Sequence, residues 1–254
     1  MTTGLDQSRS GQPCSAAASY SRRHTVQRPG LAGWLAGLHL QHQQRLEKLV
    51  RTMRKASAGN DGRMQPNRLL AALPDALPPN AILVADGGDF LSFARVGLPA
   101  QTYLDPGSLG CIDVGTPFGI AASLACPDRT VVVETGDGAF GFNAMEIDTA
   151  VRHIAPLMVV VANNGLWAIE RRDQQETHGK VVSICLQFEN HAAMARAFGM
   201  HAERVTSADE LPAVIKRAMA NCPALHDAVK TPQAAPPDAE LGAAWVPDLQ
   251  ALAA

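Results

Sequence analysis

Apolar residues along this chain follow two periods, and the alternation between them predicts the fold. Short strand-like runs fall at 81–84, 130–135, 157–162, 201–205 and 225–229, the first three rich in aliphatic residues. Between and after them, apolar positions recur at helical spacing over 90–96, 114–125, 142–152, 189–198 and 208–219. Strands that are aliphatic from end to end, divided by helices, are those of a parallel sheet buried on both faces. The fold class expected is therefore α/β, an open and mostly parallel sheet with helices on both sides. Ahead of it, Leu31, Trp34, Leu35, Leu38, Leu46, Leu49, Val50 and Met53 keep mostly helical spacing over 31–56. Residues 57–65 read as a polar linker, and Pro66 opens a short helix to Leu73.

The two ends read differently. Residues 1–30 are rich in Ser, Gln, Thr and Arg, nearly free of acids and without apolar periodicity, so a disordered leader is expected there. From Thr231, the prolines at 232, 236, 237 and 247 predict an extended tail. The expected organisation is a leader (1–30), a helix with its linker (31–60), a single α/β domain (61–230) and the tail (231–254). The unstructured start and the Ala-rich end also fit a truncated chain.

Composition narrows the function classes. The chain has 254 residues, 46% of them hydrophobic, and a formal net charge of −2. Without clustered Lys and Arg, nucleic acid is not an expected partner. No apolar run approaches the ~20 residues that span a bilayer, so no membrane partner is expected either, and a cytoplasmic location follows. The five cysteines have no metal-binding spacing, which predicts buried or free thiols rather than a disulfide framework. The histidines at 153, 178, 191 and 201 form no ligand pattern, and Trp167 and Phe142 read as core.

The chemistry gathers at two short polar runs. Gly136-Asp137-Gly138 ends the strand at 130–135, and Asn163-Asn164 ends the strand at 157–162. Loops at the carboxyl ends of adjacent parallel strands open into one crevice. A carboxylate (Asp137) and an amide oxygen (Asn164) are thereby expected side by side, next to backbone that glycine leaves uncovered. Hard oxygen donors of this kind suit Mg²⁺, which takes few protein ligands and completes its octahedron with phosphate and water. Asp137 also reads as a turn residue bonded to its own loop, and Asn164 as a left-handed turn residue before Gly165. Gly138 and Ala139 offer backbone N–H groups for phosphate oxygens. The loop Asp86-Gly87-Gly88-Asp89 after the first strand is a second phosphate candidate, with Asp89 weighted toward capping the next helix.

The GDG run, a spacer of about two dozen residues and the NN pair resemble the signature of thiamine-diphosphate enzymes. Residues 81–173 are similar to the cofactor-binding C-terminal domain of the acetolactate synthase, oxalyl-CoA decarboxylase and benzaldehyde lyase group. The resemblance implies the thiamine-diphosphate-binding fold, with thiamine diphosphate and Mg²⁺ as cofactors. It implies Asp137, Asn164 and the main-chain carbonyl of Leu166 as metal ligands. Gly88, Asp89, Gly136, Asp137, Gly138, Ala139 and Asn164 then lie on the cofactor. The Gly110-Cys111-Ile112 segment matches the one that grips the aminopyrimidine, with Ile112 as the wedge between the two rings. Asp113 stands where the family mostly carries Gly.

In that family, the glutamate that activates the pyrimidine comes from a separate pyrimidine-binding domain. No catalytic residue is therefore expected in this chain. One reading is the diphosphate-binding subunit of a split enzyme, acting beside a carbonyl of a small 2-keto acid or acyl-CoA. Its partner is a pyrimidine-domain polypeptide or another copy of the chain. The alternative is a non-catalytic fragment. A nucleotide-binding Rossmann protein predicts GxGxxG after the first strand, and Asp86-Gly87-Gly88-Asp89-Phe90 does not supply it.

Overall fold

The computed structural model describes residues 31–232 apart from Ser57 and Pro99, so the expected leader and most of the expected tail lie outside the described residues. The chain divides into two units after Gln43. The first contributes the start of helix α1 (Leu31–Arg54), where Trp34, Leu35, Leu38 and Leu40 are exposed. The second unit carries the rest of α1, of which Met53 is buried.

Six strands make one sheet with every pair parallel: β1 (Ile82–Ala85), β2 (Thr102–Leu104), β3 (Val131–Gly136), β4 (Leu157–Asn163), β5 (His201–Val205) and β6 (Ala224–Val229). Their spatial order is β2-β1-β3-β4-β6-β5. The chain leaves β1 toward one edge to form β2, then crosses back to lay β3 on the other side. That reversal makes the carboxyl ends of β1 and β3 a topological switch point, where crevices open in such sheets.

Alternation along the central strands feeds two cores. Val131, Val133, Leu157, Val159 and Val161 face one side, against Ile120 of α4 (Gly115–Ala125), Phe140 of α5 (Asp137–Phe142), Ile147 and Ala150 of α6 (Glu146–Arg152) and Ala192 and Ala195 of α8 (His191–Ala197). Val132, Met158 and Val160 face the other, against Leu69 and Leu70 of α2 (Pro66–Ala72), Phe90 and Phe93 of α3 (Asp89–Gly97), and Leu211, Val214 and Ile215 of α9 (Leu211–Ala220). Each buried aliphatic side chain contributes about 1.5–3 kcal/mol, and the central strands have no exposed residue to lose it. Helix α7 (Ala168–His178) buries only Ala168.

Three features depart from the sequence reading. The helix expected over 142–152 is two helices, α5 and α6, broken at Asn143–Met145, and Asp137 is already helical. The short strand β2, too brief to read by alternation, forms the sheet edge. Cys111, Cys185 and Cys222 are free, but Cys126 is disulfide-bonded, against the expectation of thiols throughout.

One residue on β3 breaks the apolar rule. Glu134 is buried, and neither of its carboxyl oxygens has a hydrogen-bond partner among the described residues. Burial pushes its carboxyl up to about 8. The folded chain then holds a proton that the unfolded chain has released, so this contribution to stability is present in acid and lost as the pH rises through 8. Asp137, pushed up to about 6, acts in the same sense only at lower pH. His226, pushed down to about 4 by burial, acts in the opposite sense only up to its ordinary range. The window from about pH 6.5 to 8 therefore reports Glu134 alone among these three. Denaturant unfolding across that window is expected to lose stability in the wild type and to stay level in Glu134→Leu, which gains about 1–3 kcal/mol at pH 8. Parallel slopes in the two proteins would contradict the assignment.

Candidate cofactor site

A cleft opens at the carboxyl ends of β1, β3 and β4. Gly88, Asp89, Ile112, Gly136, Asp137, Gly138, Ala139, Asn164 and Leu166 all line it. Gly110 does not line it; it is exposed and closes the 3₁₀ turn Gly107–Leu109 in a left-handed conformation. Two distant parts of the sequence thus meet because β3 pairs with β1 on one side and with β4 on the other.

Asp137 begins α5 directly beyond β3 and is buried. Its Oδ2 accepts the Gly165 N–H at 2.7 Å, a bond from the β4 loop that fixes the two tips together. Burial pushes the carboxyl up to about 6, and the Gly165 bond, the Lys230 charge and nearby backbone amides only partly offset it. A buried carboxylate short of positive charge is a fitting ligand for a divalent cation. Asn164 is also buried, and its Oδ1 accepts the Leu166 N–H at 3.2 Å, an Asx-type turn. Its own φ is not positive, so the left-handed alternative read from sequence is not what the loop adopts. The following residues are tied down by a second segment. Trp167 N–H donates to the Ile184 carbonyl at 2.9 Å, and Leu186 N–H donates to the Gly165 carbonyl at 2.8 Å. That short antiparallel contact leaves the Leu166 carbonyl out of its ladder, and Leu166 lines the cleft.

The neighbouring Asn163 has a different task. Its amide donates to Asp227 Oδ1 at 2.9 Å and to the Glu189 carbonyl at 2.8 Å, beneath the site. Arg204 pairs with the fully buried Asp227 at 3.3 Å, which supplies the charge that Asp227 needs. Of the two adjacent asparagines, one is structural and the other lines the cleft.

Asp89 is not the helix cap expected from its position. Gly88 holds the N-cap of α3 and makes no side-chain capping bond. The Asp89 carboxylate instead takes Arg172 at 2.7 Å and Lys230 at 3.3 Å. The Arg172 side chain is itself mostly covered. The acid is outnumbered by cations, so the repulsion it would exert on an anionic ligand is offset.

Trp167 also departs from the expectation of a core residue. It lines the cleft, and a Cβ added at Gly138 would come within 2.6–2.9 Å of its ring. Glycine at 138 is thus required by close approach, and the indole keeps the backbone of the phosphate-type loop bare. Phe142 is 63% exposed and tilts against Trp167 with ring centroids 6.1 Å apart. Lys230, just past β6, was not singled out by sequence because nothing local marks it; its position beside Asp89 comes only from sheet order.

Residues 87–228 match the family described as thiamine pyrophosphate enzyme, C-terminal TPP binding domain. The acetolactate synthase large subunit of Mycobacterium tuberculosis is 36% identical over 197 residues, covering 75% of this chain and 36% of that protein. The human 2-hydroxyacyl-CoA lyase 2 is 37% identical over 139 residues, covering 54% of this chain and 22% of that protein. The chain thus spans about a third or less of the length of these relatives. Among solved structures, a Rhodococcus jostii thiamine diphosphate-dependent 4-hydroxybenzoylformate decarboxylase superposes with a TM-score of 0.63 at 24% identity, over 69% of this chain and 34% of that one, a likeness of fold. No helix among the described residues is long and apolar enough to cross a membrane. By the match over most of its sheet, this chain belongs to the thiamine pyrophosphate enzymes and carries their C-terminal cofactor-binding domain.

Proposed function

We propose that the chain supplies the diphosphate-holding and metal-holding half of an acetolactate synthase-like active site. The observation that carries this reading is the meeting of Asp137, Asn164 and Leu166 on one cleft wall, from the tips of two paired strands. In this reading, Asp137, Asn164 and the Leu166 carbonyl hold Mg²⁺. The backbone N–H groups of Gly138 and Ala139 and the Gly88 loop take the diphosphate oxygens, and Ile112 supports the ring end of the cofactor. When bound, thiamine diphosphate supplies a carbon nucleophile that makes or breaks a carbon–carbon bond beside a carbonyl.

The residues of this chain bind and orient. Asp137 contributes charge, and the Gly165 N–H that it accepts holds that charge in register with Asn164. Trp167 packs on Gly138 and lines the cleft beside the loop. Lys230 and Arg172 neutralise Asp89 so that a polyanion can settle beside it. The proton-transferring acid at the pyrimidine comes, in this reading, from a pyrimidine-domain polypeptide. The small-molecule substrate belongs to the 2-keto acid or acyl-CoA class, by analogy with the named activities of the acetolactate synthase and 2-hydroxyacyl-CoA lyase relatives.

Titration calorimetry with thiamine diphosphate tests the reading. The wild type is expected to bind with Mg²⁺ present, and Asp137→Ala to lose the Mg²⁺-dependent part; unchanged affinity would refute the ligand. Because the metal needs the ionised carboxylate, apparent Mg²⁺ affinity is expected to rise with pH up to and through about 6 and then level. A flat profile between pH 5 and 7 would count against Asp137.

Gly138→Ala forces a methyl group into the Trp167 ring, so it is expected to weaken cofactor binding by about tenfold and stability by about 1–3 kcal/mol. A variant that matches the wild type in calorimetry and thermal unfolding would remove Trp167 from the account. The purified chain is expected to turn over neither pyruvate nor oxalyl-CoA until a pyrimidine-domain polypeptide is added. Product formed by the chain alone would overturn the assignment of the activating acid to another polypeptide.

A further inference from the structure

Asp86 stands immediately beyond β1 and is buried, yet it makes no ion pair among the described residues. Its carboxylate is instead filled by backbone donors. Oδ1 accepts from Gly87 at 2.6 Å and Asp113 at 3.1 Å; Oδ2 accepts from Asp113 at 3.1 Å and Gly115 at 2.8 Å. Two of these three amides belong to a segment almost thirty residues away, the turn that enters α4. The fit leaves no slack: a Cβ at Gly115 would lie 2.9 Å from the Asp86 Cβ and 3.0 Å from Oδ2.

Asp113, the residue held by both oxygens, has φ +92°. This left-handed backbone is strained for any residue but glycine. Its carbonyl is held as well, accepting from Asn143 Nδ2 at 3.0 Å. The peptide units on either side of Asp113 are therefore clamped, one by Asp86 and one by Asn143. The residue just before it, Ile112, lines the cleft. The Asp113 carboxylate also adds like charge near Asp86, so the chain keeps an acid here at an electrostatic cost.

We propose that Asp86 is a positioning residue, whose grip on the strained Asp113 peptide aims Ile112 into the cleft and sets the fit for the ring end of the cofactor. The inference rests on the thiamine-diphosphate reading of the site. It assigns a division of labour: the β3 and β4 tips and the Gly88 loop hold the diphosphate, and the Asp86 carboxylate at the β1 tip holds the ring support. In a chain with glycine at 113, the left-handed turn needs no such grip.

The experiment uses the full chain and four forms: wild type, Asp86→Asn, Asp113→Gly and the double variant. Calorimetry with Mg²⁺ measures thiamine diphosphate and inorganic pyrophosphate separately, and hydrogen–deuterium exchange follows the amides of 111–115. Asp86→Asn replaces an acceptor oxygen with a donor, and is expected to weaken thiamine diphosphate by about tenfold or more. Pyrophosphate, which does not reach Ile112, is expected to change less than about threefold. Exchange at 113 and 115 is expected to quicken. Asp113→Gly is expected to bind at least as well as the wild type, and to restore most of the loss when combined with Asp86→Asn. Equal loss of both ligands, or no rescue by Asp113→Gly, would overturn the proposal. If Asp86→Asn does not fold, the double variant decides: it folds and binds if the proposal is right, and fails if Asp86 has only a general structural role. A wild type that binds neither ligand would overturn the cofactor reading, whereas wild-type binding with unaltered exchange and affinity in Asp86→Asn would overturn this inference alone.

Discussion

The site depends on one constraint, the lateral pairing of β3 with both β1 and β4. Parallel strands carry their hydrogen bonds in register, so the ends of neighbours finish at the same height. Gly136 is aligned with Ala162, and Ala85 with Glu134. Much of the cleft lining then lies in the segments that follow those ends: the Asp86–Asp89 loop, Asp137, and the Asn164–Trp167 turn. The bond from Gly165 N–H to Asp137 spans the same gap in the loops that the strand ladder spans in the sheet. A register slip by one residue would reverse the faces of β3 and part the tips at once.

The sequence carried the architecture because its central strands β1, β3 and β4 are rich in aliphatic residues, as strands buried on both faces usually are. The facing tips were legible for the same reason: each polar run follows directly on such a strand. What failed to appear was whatever depends on strand order. The pairing of Asp89 with Arg172 and Lys230 joins residues 83 and 141 positions apart. No local pattern separates it from capping or from a solvated surface. Trp167 was read as core because an indole usually is; its packing on Gly138 is visible only once α5 and the β4 loop are placed together. The break between α5 and α6 was hidden by continuous helical spacing across 142–152. Gly110, beside a wedge residue in sequence, stands apart from the cleft because its turn carries it outward.

Acidic groups around the cleft illustrate three ways to keep a carboxylate out of water. Asp86 is filled by backbone amides, Asp89 is paired with cations, and Asp137 is left with too little of either. The first gives rigidity, the second cancels repulsion, and the third leaves a demand for a positive ligand. Glu134, lower on β3, has no hydrogen-bond partner among the described residues and keeps its proton instead. Its environment has no ligand to answer that demand, which is why a raised carboxyl range alone does not mark a site.

The contact of Trp167 with Gly138 has one more consequence. The indole stands against the backbone of the loop at the tip of β3, with Phe142 at its edge. Among the residues described, the other tryptophan, Trp34, is in the first unit and exposed. Any rearrangement of that loop changes the polarity around a fluorophore already built into the wall, so the protein carries its own optical gauge of occupancy.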